Sequence, residues 1–255
     1  MASDRTAPPP FVRLAAHAVR WRLLSELARS DLRVRELVDL VGEPQNLVSY
    51  HLRLLRSSKL VTARRSSFDG RDSYYHLDLD RCADALADAG AALHPALRLL
   101  RAEPEEAPAS ETPSVLFMCT GNSARSPIAE ALLRHRAGGR VEVASAGSHP
   151  RPRLHPHAVR VLRQHYGIDL TDQRPRHLGT MTGRRFDYVI SLCDKVREAC
   201  PEFDDHPRRL HWSIPDPDAD GGGYPAFDRT ATDIDTRVRH LHPILFPAPH
   251  GKAQP

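Results

Sequence analysis

A two-domain chain, mainly α and then α/β with a central parallel sheet, is what this 255-residue sequence predicts, and three observations carry it. The stretch RAEPEEAPASETPS at residues 101–114 is rich in proline and glutamate, has no large apolar residue to bury, and reads as a linker. Before it, residues 11–100 show helical periodicity interrupted by one hairpin signal. After it, residues 115–247 alternate β-rich runs (VLFMC, VEVASAG, FDYVISL, LHWSI) with helical ones (SPIAEALLRHRA, PHAVRVLRQHYG, TDIDTRVRHLHPIL), the pattern of a parallel sheet with crossover helices. Residues 1–10 and 248–255 are expected to be disordered.

Composition limits the function classes. The chain is 40% hydrophobic and 27% charged with a net charge of +4, ordinary values for packed domains. MASDRTAPPP lacks the apolar core of a signal peptide, and no run reaches the roughly 20 apolar residues of a membrane span. No membrane partner and a cytoplasmic location are therefore expected. The four cysteines, at 82, 119, 193 and 200, form no secreted disulfide framework and point to catalytic or redox thiols in a reducing compartment.

In the first half, RVRELVDLVG and EPQNLVSYHLRLLRSSKLV predict two short helices around a tight turn at Val41-Gly42-Glu43. Leu37, Leu40 and Val41 fall on one face of the first helix, and Val48, Leu52 and Leu55 on one face of the second. In a helix-turn-helix the second helix enters the major groove. Gln45, Asn46, Ser49, Tyr50 and His51 occupy its N-terminal end, where base edges are read, and Gln and Asn can bond adenine bidentately. The following VTARRSSFDGRDSYYHLDL places Asp69-Gly70 between two β-prone segments, the signal for a type I′ hairpin, here a wing. Arg53, Arg56, Lys59, Arg64, Arg65 and Arg71 face only Asp69 in the stretch from Pro44 to Arg71, a patch suited to phosphates of double-stranded DNA.

Residues 11–100 resemble the ArsR-type winged-helix repressors. The resemblance implies a homodimer joined through the terminal helices, around residues 11–28 and 81–100, and release from DNA by an effector. The arsenic-sensing members carry a Cys-x-Cys pair where this chain has Arg33-Val34-Arg35, so that sensor is missing; Cys82 is expected to pack.

In the second half, CTGNSARS follows a strand and leads into a helix opened by Ser126-Pro127. Proline is favoured in a first helical turn, and the loop amides with the helix N-terminus form an anion cradle. Thr120, Gly121, Asn122, Ser123, Ala124, Arg125 and Ser126 are its expected oxyanion-binding residues, Arg125 supplying a planar fork for two oxygens. In such a field a thiol ionises more readily than a free cysteine, making Cys119 the nucleophile. Asp216, in the glycine-rich WSIPDPDADGGGYP, is the expected general acid, with Asp218 and Asp220 as competitors.

Residues 115–245 resemble the low-molecular-weight tyrosine phosphatase superfamily, which includes thioredoxin-coupled arsenate reductases. The resemblance implies that Cys119 attacks, Arg125 and the loop hold the oxyanion, Ser126 steadies the thiolate and Asp216 is the acid. It further implies a potassium site from Asn122, Glu130 and Ser145; otherwise no cofactor is required. Cys193 and Cys200, seven apart, match the reductase spacing and imply a relay ending in a disulfide reduced by thioredoxin or a similar thiol reductant. Alternatives remain open: a phosphatase, which needs no second thiol, or a non-catalytic oxyanion sensor for the first half. Against the reductase branch, Ala124 stands where many reductases have cysteine; against the phosphatase branch, Asp218-Ala219-Asp220 stand where aromatics usually grip phosphotyrosine. His155, His157, His240 and His242 lack zinc-like spacing, Trp21 and Trp212 are expected in the core, and the arginines of 151–176 are expected to be a solvated face.

Overall fold

The computed structural model describes residues 7–94, 97, 112–199 and 208–246. Contacts divide the chain into two compact units, residues 1–103 and 104–255. Cys200, nearly all of the expected linker, and the last residues of the chain lie outside the described residues, as do residues 1–6.

The first unit runs α1 (Pro10–Ala15), α2 (Ala18–Leu27), β1 (Leu32–Arg33), α3 (Val34–Val41), α4 (Gln45–Ser57), β2 (Val61–Arg65), β3 (Ser73–Leu77) and α5 (Leu79–Leu93). α3 ends because Gly42 adopts φ 67°, a left-handed conformation that L side chains avoid, with its N–H bonded to Val38 O. α4 restarts directly after Pro44. Leu37 and Val41 of α3 and Val48, Leu52 and Leu55 of α4 share one core with Leu23, Leu24 and Leu27 of α2. Leu40 is not in that core; it is 53% exposed, because Leu37 and Val41, four apart, already define the buried face. Trp21 is likewise outside, 59% exposed, since Val19, Leu23, Leu24 and Leu27 take the inner face of α2.

β1, β3 and β2 form an antiparallel sheet in that order. The type I′ turn expected at Asp69-Gly70 does not form, for neither residue has positive φ. Strand pairing stops at Arg65↔Ser73. The connection instead closes over Ser66, whose Oγ accepts from Phe68 N at 3.1 Å and Asp69 N at 3.0 Å, while Asp69 Oδ1 accepts from Arg71 N. Side-chain acceptors thus build a wider wing than a two-residue turn would give.

The second unit runs β4 (Ser114–Cys119), α6 (Arg125–Ala137), β5 (Glu142–Gly147), α7 (Pro156–Tyr166), a 3-10 turn (Leu178–Met181), β6 (Tyr188–Ser191), α8 (Asp194–Ala199), β7 (Arg209–His211), a second 3-10 turn (Ala219–Gly221) and α9 (Gly223–Leu245). All strand pairs are parallel, in the order β5-β4-β6-β7. α9 begins at Gly223, well before the expected Thr232, because Pro225 in its first turn is compatible with helix initiation. Val115, Leu116, Phe117 and Ile190 are fully buried in the sheet, and Phe227, Ile234 and Val238 of α9 close the core beside α6. Trp212 is buried as expected, its ring 5.7 Å from that of Phe117. Strand order reverses about β4, so a crevice opens at the C-terminal ends of β4 and β6, the position where open parallel sheets bind ligands.

Candidate active site and nucleic-acid interface

Cys119 is the last residue of β4, and the loop 120–124 carries the chain to Arg125 at the start of α6. The loop is shaped by what happens to its carbonyls. Cys119, Thr120, Gly121 and Ser123 each give their C=O to a backbone N–H of the segment after β5, from Ser148, His149, Arg151 and His155 respectively. With the oxygens tied outward, the loop amides are free to converge on the other side, and Asn122 N bonds Cys119 Sγ at 3.2 Å. Gly147 makes this docking possible: a Cβ there would stand 2.6 Å from Thr120 O and 2.8 Å from Asn122 N. Residues 148–155 are therefore part of the cradle, and no local motif marks them in the sequence.

Asn122 holds the loop's one left-handed residue, φ 43°. Its side chain is fully committed: Nδ2 donates to Ser126 Oγ (2.9 Å) and Ser145 Oγ (2.8 Å), and Oδ1 accepts from Arg176 N (2.7 Å). Ser126 Oγ, already an acceptor, has its hydrogen for Cys119 Sγ, 3.0 Å away. Ser145 Oγ in turn donates to Glu130 Oε2. A continuous buried hydrogen-bond chain thus runs from Glu130 to Cys119 Sγ.

That chain decides the potassium question. Glu130 is 1% exposed and its carboxylate accepts from Arg134, Arg176 and Gln173 as well as Ser145. Arg176 also donates to Ser145 O. Two guanidinium groups neutralise the one carboxylate of the expected set, and Asn122 Oδ1 is taken, so Asn122, Glu130 and Ser145 do not fit a metal ion. Among the described residues no cluster of His, Cys, Asp and Glu could hold one. Arg176 belongs to the scaffold rather than to the solvated face expected for residues 151–176.

Arg125 is 6% exposed. Its Nη1 donates to Ile214 O at 3.2 Å and its Nη2 to Asp216 Oδ2 at 2.9 Å. Asp218 instead turns to His155, 3.4 Å away. Thr120, Gly121, Ser123 and Ala124 complete the loop. Cys193 lies two residues past the end of the adjacent strand β6, 2% exposed, with Sγ 3.4 Å from Thr120 Oγ1. Burial pushes its thiol above the ordinary cysteine value; Arg125 and the bond from Thr120 pull the other way, and Cys119 adds to the rise. The structure therefore gathers Cys119, Arg125, Asp216 and Cys193, while Cys200 is outside the described residues.

In the first unit, Gln45, Asn46 and Tyr50 are exposed and Ser49 half-buried at the start of α4, and Arg53, Arg56, Lys59, Arg65 and Arg71 are exposed, with Arg64 half-buried. His51, expected to read bases, is 3% exposed and cannot: its ring packs 4.4 Å from that of His17, on the inner side of α4. Arg33 and Arg35, at the positions of the missing Cys-x-Cys pair, clamp the wing instead through Asp72, with Arg33 also bridging Glu36. Cys82 packs against the core as expected, its thiol pushed up to about 11 by burial and Asp78.

A parallel sheet with a Cys-x5-Arg loop at its C-terminal edge defines a class of proteins that handle tetrahedral oxyanions through a cysteine. Residues 114–248 match the family described as low molecular weight phosphotyrosine protein phosphatase, and residues 18–63 match the family described as bacterial regulatory protein, arsR family. An arsenate reductase of Brevibacillus brevis is 33% identical over 126 residues, covering 49% of this chain and 91% of that protein. One from Bacillus anthracis is 32% identical over 128 residues, covering 50% of this chain and 92% of that protein. A solved structure titled "An arsenate reductase in the phosphate binding state" is 28% identical, covering 52% of this chain and 98% of that one, with TM-score 0.47. The chain belongs to the low molecular weight phosphotyrosine protein phosphatase family, and carries an arsR-family helix-turn-helix ahead of it.

Proposed function

We propose that the second unit reduces arsenate and that the first is a DNA-binding repressor, joined in one regulator-enzyme of arsenic resistance. The observation that carries the enzymatic half is the second thiol: Cys193 Sγ borders the cradle loop, 3.4 Å from Thr120 Oγ1. A phosphatase has no use for it. Cys119 attacks the arsenic of arsenate held by Arg125 and the loop amides, and one oxygen leaves as water with a proton from Asp216. Cys193 thiolate then attacks Cys119 Sγ. The sulfur–arsenic bond breaks, its electron pair stays on arsenic, and arsenite departs, leaving a Cys119–Cys193 disulfide. Cys200 attacks Cys193, frees Cys119, and the resulting Cys193–Cys200 disulfide is reduced by a thioredoxin-type dithiol.

The second reading, phosphate-ester hydrolysis, is favoured by the Asp216–Arg125 pair, which suits a general acid for an alkoxide leaving group. Turnover of arsenate with thioredoxin, thioredoxin reductase and NADPH separates the two. Cys193→Ser and Cys200→Ser should abolish it while leaving p-nitrophenyl phosphate hydrolysis in place; retained turnover in both variants rejects the relay. For the first unit, binding to operator DNA is supported by the exposed Gln45, Asn46 and basic wing, and footprinting with and without arsenate or arsenite tests it; the homodimer implied by the family resemblance is tested by the mass of the protein in solution. No described helix is long and apolar enough to cross a membrane.

A further inference from the structure

Behind Cys193 lies a polar cluster that the relay does not use. Asp194, the first residue of α8, is 2% exposed; His211, the last of β7, is 1%; Ser213 is 3% and Ser191 is 4%. Asp194 Oδ1 accepts from Ser213 Oγ at 2.7 Å and meets His211 Nε2 at 3.1 Å. His211 Nδ1 lies 3.1 Å from Ser191 O and 2.9 Å from Ser191 Oγ. The His211 ring thus bridges Ser191, at the end of β6, and Asp194, and the buried cluster ties the first turn of α8 to the ends of β6 and β7.

That turn is what presents the second thiol. Cys193 precedes Asp194, its C=O accepts from Arg197 N at 3.2 Å, and the Val196 backbone N–H is directed at its sulfur. The sheet fixes the other side, where Leu192 N bonds Met118 O at 2.7 Å. We infer that Asp194, locked by His211 and Ser213, is a positioning residue for Cys193, holding its sulfur at the cradle edge in line for attack on Cys119. The inference rests on the reductase reading of this site, but its test does not.

The full-length protein, in a Cys200→Ser background that stops Cys193 from being resolved, is oxidised with a diazene dicarboxamide, which takes up two electrons and two protons as the Cys119–Cys193 disulfide forms; trapping and peptide mass spectrometry give the rate. For Asp194→Ala this rate should fall about tenfold to a hundredfold relative to wild type. Phosphate-ester hydrolysis, which uses Cys119 and Arg125 but not Cys193, should stay close to wild type. Asp194→Asn, able to keep bonds to Ser213 and His211, should recover most of the rate. A wild-type disulfide rate in Asp194→Ala overturns the inference. So does a parallel fall of hydrolysis and disulfide formation in both variants, which marks a purely structural role. If wild type forms the disulfide with the diazene and not with arsenate, the reductase reading fails while the positioning comparison stands.

Discussion

Arg125 and Asp216 are joined at 2.9 Å, a guanidinium 7% exposed against a carboxylate 50% exposed. The buried partner is held in place by Ile214 O and the open one can swing. On the proposed function, an incoming oxyanion would compete with Asp216 for one edge of the fork and release the carboxyl group towards the leaving oxygen.

Arg125→Lys should lower kcat/KM for arsenate or for an aryl phosphate by about 10²- to 10³-fold, since a point charge cannot replace two parallel donors. Asp216→Asn should lower kcat by about 10²- to 10⁴-fold with KM little changed. Steady-state kinetics on both substrates check this. An Asp216→Asn enzyme with undiminished kcat would remove the acid from the mechanism.

Asn122→Ala strips three side-chain bonds from the cradle and leaves Ser126, Ser145 and Arg176 N short of partners in a buried site. The unit should lose about 2–4 kcal/mol by denaturant unfolding, given about 1–3 kcal/mol for each buried group left unsatisfied and partial relaxation. Ser126→Ala removes the hydroxyl facing Cys119 Sγ and one of the two acceptors of Asn122 Nδ2, and should cost activity with a smaller loss of stability than Asn122→Ala. A stable, fully active Asn122→Ala protein would contradict the hydrogen-bond chain.

The raised thiol of Cys193 fixes a pH dependence. Burial, its main cause, favours the neutral form, so below the folded-state value the attacking thiolate grows tenfold per pH unit. Formation of the Cys119–Cys193 disulfide after single-turnover mixing with arsenate should therefore accelerate with a log-rate slope near +1 between about pH 6 and 8.5. The same shift stabilises the fold below the free-cysteine value, and that stability is lost as pH rises through the folded one. A pH-independent rate would place another step, or another thiol, in control.

His51 sets the opposite trend in the first unit. Desolvation, helped by His17 and Arg20, lowers its affinity for a proton, and neither ring nitrogen has a hydrogen-bond partner. Because the folded value lies below the unfolded one, stability is full above the ordinary histidine pKa and falls as pH drops through it. The slope can reach about 1.4 kcal/mol per pH unit for one proton. His51→Phe should flatten the unfolding profile of this unit between about pH 7 and 5; an unchanged slope would assign it to other groups.

Arg53 and Arg71 stand clear of the first unit's core, the Arg71 side chain 94% exposed. If they meet phosphates, replacing either by Ala should reduce the slope of log K against log salt by about 0.9, uniformly across sequences. Gln45→Ala and Asn46→Ala should instead change which sequences bind. Titrations at several salt concentrations distinguish the two behaviours.

What was legible in the sequence is what is contiguous. Cys119 to Ser126 announce the cradle because a strand, a small-residue loop and a proline-started helix follow one another. The two helices at 34–41 and 45–57 announce themselves through apolar spacing and Gly42. What was hidden depends on partners far along the chain. The carbonyl ties from 148–155 and the seat of Arg176 on Glu130 exist only once β5 lies against β4. His51 was misplaced because a histidine among polar neighbours looks outward until α2 is packed beside α4. The Asp69-Gly70 turn failed because Ser66 offered a competing acceptor.

The spacing of the two thiols has a consequence beyond this chemistry. Cys119 closes β4 and Cys193 follows β6, strands paired through Met118↔Ser191. Parallel neighbours lie about 4.8 Å apart whatever loops surround them. The sheet thus acts as a ruler: it sets a side chain at position 193 beside the loop that follows Cys119, 3.4 Å from Thr120 Oγ1. On the relay proposed above, a thiol at that position and a second one to resolve it are all that such a scaffold must add to pass from hydrolysing an ester to moving electrons.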